Sequence, residues 1–213
     1  FRSRKKNDIK FIYTLEISLK KNINLEKYSK LSLAKEDVYE KRMALYPKRE
    51  VAVVGTGPAG LFSALRLAEL GYIPIVFERG EEVDKRNATT KFFIKTRILN
   101  PNSNIQFGEG GAGTFSDGKL TTRVTHPRLH EIATYFVEFG APEEILYKHK
   151  PHVGTDILRH MVKAMRQQII AWGGEVRFGA QVTDIEVQDQ VVTGVVVNGT
   201  EHIPADIVML GVG

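Results

Sequence analysis

Hydrophobic positions along the chain fall into two kinds of pattern. Residues 51–54 form a continuous apolar run, the mark of a strand covered on both faces. Leu61, Ala64, Leu65 and Ala68 then share one helical face. Pro58 stands at the start of that helix, where a missing N–H is tolerated, and Gly71 at its end. Residues 73–78 read as a second strand, which completes a βαβ unit in about 30 residues. A helical pattern follows over 81–96. Pro127 opens another, with Leu129, Ile132, Ala133 and Phe136 aligned and Gly140 at its end. Thr155 is expected to cap a longer helix, with Leu158, Met161, Val162, Met165 and Ile169 on one side and Gly173 and Gly174 closing it. Residues 175–178 read as a third strand. Residues 181–188, 191–198 and 201–205 are short strands joined by tight turns, a β-meander, and 206–213 is a last apolar strand ending in glycines. Upstream, 8–19 alternates enough to predict a strand, and 32–45 predicts a short helix capped by Ser32. Residues 97–122 have no clear period. An irregular stretch of that length inside a domain is usually functional or disordered.

Composition narrows the class. Of 213 residues, 42% are hydrophobic and 26% charged, as in ordinary globular proteins. No apolar run approaches the roughly 18–20 residues that span a bilayer. The chain has no cysteine, which removes disulfides, thiolate metal sites and dithiol redox chemistry and suits a cytoplasmic address. The net charge of +5 is uneven: residues 1–48 hold 13 basic and 6 acidic side chains, and the remainder 17 and 19. Nucleic-acid binding by the basic segment is disfavoured against a solvated lysine-rich face, because the lysines are scattered with few aromatics between them. The change of character near Glu50 divides the chain into a segment at 1–48 and a domain at 49–213.

The chemistry concentrates in two glycine clusters. The first, GTGPAG, places Gly55, Gly57 and Gly60 directly after a strand and directly before a helix. Gly55 permits the tight turn, Gly57 lets a pyrophosphate approach the backbone, and Gly60 lets the helix pack closely on the sheet. With Pro58 and Ala59, these residues put helix N–H groups and the positive end of the helix dipole against the phosphates. Glu78 ends the second strand, 23 residues after Gly55, where a carboxylate can accept from both ribose hydroxyls and repel a 2′-phosphate. The following Arg79 is a candidate for covering an adenine or meeting a phosphate. The second cluster, GEGGAGTFSDGKL, comes close to a P-loop, but Leu120 stands where Ser or Thr would hold Mg²⁺, and no good helix follows. It reads better as a backbone-lined wall, with Gly110, Gly111 and Thr114 approaching a flat ligand.

Both FAD and NAD can use the first motif, and the crossover separates them. A third strand followed by a meander and then a last strand resembles the glutathione-reductase-like two-dinucleotide-binding flavoproteins. The resemblance places Gly211 near the pyrophosphate and the backbone of Val182 at the adenine. GTGPAGLFSALRLAELGYIPIVFERG, NPNSNIQFGEGGAGTFSDGKLTTR, FVEFGAPEEILY and GTDILRHMV together resemble a bacterial family of FAD-dependent, NAD/FAD-utilising dehydrogenases of unknown substrate. That resemblance covers essentially the whole chain. It implies an α/β, Rossmann-like FAD-binding fold with a parallel sheet, a three-stranded meander crossover and a small N-terminal α+β segment. It implies FAD as cofactor and NADH or NADPH as candidate reductant. It also implies a longer protein whose C-terminal part completes a domain that stops short at residue 213.

No catalytic acid or base stands out. His126, His130, His149, His152, His160 and His202 include no H-E-x-x-H-type pair, so no metal site is expected. Lys119 could meet the polar edge of a flavin, but a surface lysine is the plainer reading. Two alternatives stay open: a flavin-holding scaffold that acts through a nucleic-acid or protein partner, and an NAD-binding domain without flavin.

Overall fold

The computed structural model describes residues 12–34, 48–116, 118–120, 122, 124, 126, 128–148 and 151–212. The expectations at 8–11 and 35–45, Pro127, His149 and Gly213 lie outside the described residues. The chain divides into two compact units, residues 1–40 and 41–213.

In the first unit, a 3-10 helix at Leu25–Lys27 starts at Asn24, whose side-chain oxygen accepts from the Glu26 N–H at 3.0 Å. Residues 12–19 do not form the expected strand, and residues 32–34 are not helical. Alternation tells which side chains would share a face. It supplies no partner strand, and Ile12, Leu15, Ile17 and Leu19 are all exposed.

The second unit runs β1 (Glu50–Val54), α1 (Pro58–Glu69), β2 (Ile73–Glu78), α2 (Val83–Thr96), α3 (Arg128–Glu138), α4 (Thr155–Ala171), β3 (Glu175–Phe178), β4 (Val182–Gln188), β5 (Val191–Val197), β6 (Glu201–Pro204) and β7 (Ile207–Leu210). β3, β2, β1 and β7 form a parallel sheet in that order, and β4, β5 and β6 an antiparallel one. This is the Rossmann-like arrangement with a meander crossover that the sequence predicts.

The layers explain the apolar runs. Val51 and Val53 of β1 face α1 and α4, packing with Leu61, Ala64, Leu65, Val162, Met165 and Ile169. Ala52, Ile75 and Phe77 face the other way and pack with Val195 and Val197 of the meander and with Ala205. A strand covered on both sides has no polar face, so its sequence cannot alternate.

One boundary differs from expectation. Gly154, not Thr155, is the N-cap of α4, with φ of 86° and no side-chain cap bond. The chain enters the helix there beside the second glycine cluster. A Cβ on Gly118 would stand 2.4 Å from the Gly154 nitrogen.

Candidate functional site

β1 ends at Val54 and the chain turns sharply. Gly55 takes φ of 95°, a left-handed conformation, and its N–H donates to the Phe77 carbonyl at 2.8 Å. α1 begins at Pro58 with Gly57 as its N-cap and no side-chain cap. The first N–H groups of α1 therefore lack a side-chain partner and suit an anion. At the end of β7, the Gly211 N–H donates to the Val54 carbonyl at 2.8 Å. Three glycines thus meet. A Cβ on Gly60 would lie 1.9 Å from the Gly55 oxygen, and one on Gly211 would lie 2.9 Å from the Gly60 Cα.

These elements open into a cleft of about 690 Å³. Gly55, Gly57, Pro58, Ala59, Glu78, Arg79, Gly111, Val182 and Gly211 all line it. Residues from five separate places in the sequence are therefore brought to one wall. Gly60, Gly110 and Thr114 are not among the residues that line it. Gly60 makes the close contact between α1 and the turn, as its position in the motif predicts. Thr114 is buried, and its hydroxyl donates to the Gly111 carbonyl at 3.0 Å. Lys119 is exposed, and its backbone bridges to His152. Among the described residues no group of His, Asp or Glu could hold a metal ion, and no helix is long and apolar enough to cross a membrane.

Glu78 is buried on the cleft wall. Its Oε2 accepts from the Thr56 N–H at 3.0 Å and the Thr56 hydroxyl at 2.6 Å. Its Oε1 accepts from the Gly80 N–H at 2.8 Å. Arg79 places its guanidinium 4.1 Å from the centre of the Phe107 ring, a cation–π contact, and both line the cleft.

The second glycine cluster has an organiser that sequence reasoning missed. Arg86 of α2 is fully buried. Its Nε donates to the Asn104 carbonyl at 2.7 Å and Nη2 to the Ile105 carbonyl at 3.1 Å. Its Nη1 reaches the carbonyls of Glu109 at 2.9 Å and Gly111 at 3.1 Å and the Thr114 hydroxyl at 3.2 Å. Two N–H groups serving three acceptors means that at least one is shared. Burial pulls the guanidinium down to about 10, against the charges of Glu78 and Glu109, and it stays charged at neutral pH. The loop is fixed to the first cluster as well, because the Gly110 N–H donates to the Thr56 carbonyl at 2.9 Å. Nothing in VDKRNATTKFFIKT separates Arg86 from a surface arginine. The one signal is its spacing from Val83 and Thr90, the other buried positions of a largely polar helix.

Glu109, also fully buried, was missed for the same reason. Its Oε2 accepts from the Val83 N–H at 2.6 Å. Its Oε1 lies 3.1 Å from Arg166 Nε but outside hydrogen-bond geometry. Burial pushes this carboxyl up to about 7, against the pull of Arg166 and of the Val83 N–H. An unfolded chain ionises the group near its ordinary 4.5. The folded state therefore holds the extra proton between those values. Its contribution to stability falls as pH rises through that window, by about 3 kcal/mol at roughly 1.4 kcal/mol per unit. Unfolding by urea at about pH 5 and about pH 8 should register that slope, and Glu109→Gln should flatten it. An equal slope in the variant would mean that another group is responsible.

No protein-family model matches the chain. An uncharacterized protein of Clostridium beijerinckii is 44% identical over 216 residues, covering 99% of this chain and 40% of that protein. The chain thus spans 40% of the length of this curated relative. Among solved structures, L-proline dehydrogenase from P. horikoshii aligns with a TM-score of 0.50 at 14% identity, over 78% of this chain and 53% of its own. Likeness at that identity establishes the fold alone. Glycine oxidase from Bacillus cereus aligns more loosely, with a TM-score of 0.40 at 15% identity over 76% of this chain and 56% of its own.

Proposed function

We propose that the chain is the FAD-binding part of an FAD-dependent oxidoreductase. The carrying observation is the meeting of Gly55, Gly60 and Gly211 beside a cleft lined by the N-terminus of α1, Glu78 and Val182. Each fits a part of the dinucleotide. The helix start and the bare backbone suit the pyrophosphate, Glu78 suits the adenine ribose, and the Val182 and Arg79 side suits the adenine. The cleft volume lies in the usual range of small-molecule sites. The meander packed on the sheet supports FAD over NAD as the resident group. The shared fold with a proline dehydrogenase, a protein whose name is that of an oxidoreductase, supports the oxidoreductase part of the reading.

FAD, when bound, supplies the hydride and electron chemistry, with NADH or NADPH as the proposed reductant. The chain supplies the rest. The turn at Gly55 and α1 hold the phosphates, and Arg86 keeps the Gly108–Gly111 backbone in place as a wall that limits water.

The test is the visible absorption spectrum of the whole protein purified without added cofactor, followed by extraction of whatever it holds. A yellow protein that releases FAD is expected, and bleaching by NADH or NADPH would identify the reductant. A colourless protein that binds NADH and ignores added FAD would replace this reading with an NAD-binding one.

A further inference from the structure

Thr56 fills a position in GTGPAG that the motif leaves open, yet it is completely buried and makes three polar contacts. Its N–H and its hydroxyl both go to one oxygen of Glu78, Oε2. Its carbonyl accepts from Gly110 in the second cluster. An ionised carboxylate offers about four acceptor positions, two on each oxygen. Thr56 fills both on Oε2, and the Gly80 N–H fills one on Oε1 at 2.8 Å. One position is left, and it is on Oε1.

We infer that Thr56 is a positioning residue for ribose recognition: by saturating Oε2 it leaves Glu78 a single acceptor, so that the site reads one of the two adenine-ribose hydroxyls and not both. This rests on the proposal that the cleft holds the adenosine end of FAD. The same residue links that carboxylate to the loop. A displacement of Gly110 pulls on the Thr56 carbonyl and, through the Thr56 Cα, reaches the N–H and hydroxyl that hold Oε2.

The experiment uses the whole protein stripped of flavin, with ADP, 2′-deoxy-ADP and 3′-deoxy-ADP as competitors of FAD binding. In the native protein one deoxy analogue should bind about tenfold more weakly than ADP and the other about as well, since only one hydroxyl meets the charged acceptor. Thr56→Val removes the hydroxyl donor and frees a second acceptor position, so both analogues should then lose against ADP. Thr56→Ser, which keeps the hydroxyl, should restore the one-sided pattern. Equal losses for both analogues in the native protein would overturn the inference, whatever the variants do. So would a Thr56→Val protein that weakens ADP and both analogues in the same ratio, the result of a purely structural role. If the native protein binds neither FAD nor ADP, the cofactor assignment fails first and this inference with it. If it binds FAD with two-sided ribose readout, only this inference fails.

Discussion

Gly60→Ala should abolish the proposed flavin binding and cost about 3 kcal/mol or more of stability, although alanine is the better helix former by about 1 kcal/mol. The added methyl would lie 1.9 Å from the Gly55 oxygen and 2.9 Å from its carbon, both backbone atoms. Neither belongs to a side chain that can rotate away. Relief requires α1 to lift from the turn, which removes the helix N-terminus from the cleft and separates Gly211 from its neighbours. Gly113→Ala is the matched control. It lies in the 3-10 helix at Ala112–Phe115, where an added Cβ meets nothing within 4 Å. Urea unfolding and flavin content of the two variants, side by side, test the idea. A Gly60→Ala protein with native stability and full flavin would mean that the contact between α1 and the turn is slack.

The second large effect should come from Arg86→Ala, at about 3–5 kcal/mol. Its removal leaves the carbonyls of Asn104, Ile105, Glu109 and Gly111 without a donor that each now has. It also withdraws a buried positive charge that is coupled to the charge of Glu109. Arg86→Lys should rescue only part, because an ammonium has three donors where the guanidinium has five in a planar fork. The guanidinium carbon also lies over the Phe115 ring, 4.8 Å from its centre. Limited proteolysis should then cut between residues 100 and 118, and FAD affinity should fall with loop order. Unchanged protease resistance in Arg86→Ala would show that the loop is held by its other contacts, such as Gly110 to Thr56.

The division between sequence and tertiary structure follows from the range of the interactions. The elements of the second unit were legible because their signals are local. β2 and β3 fall on the residues predicted, and α1, α2 and the meander strands agree to within two residues. The first glycine cluster was legible for the same reason: turn and helix packing are both decided within six consecutive residues. Gly111, Val182 and Gly211 lie far apart in the chain, and only the family resemblance or the glycine pattern suggested them. The sheet order brings them to one cleft. The expected strand at residues 12–19 failed because alternation names a face but cannot provide a partner strand. Arg86, Glu109 and Thr56 were not legible at all. In sequence, a buried ion that organises a loop looks the same as a solvated one. The difference is made by acceptors 18 to 28 residues away for Arg86, and by a carboxylate 22 residues away for Thr56. By itself the sequence determined where the second unit forms strands and helices and where a glycine turn leads into a helix start. Only the folded chain decided which charges are buried, which carbonyls they hold, and how many lone pairs Glu78 has left to offer.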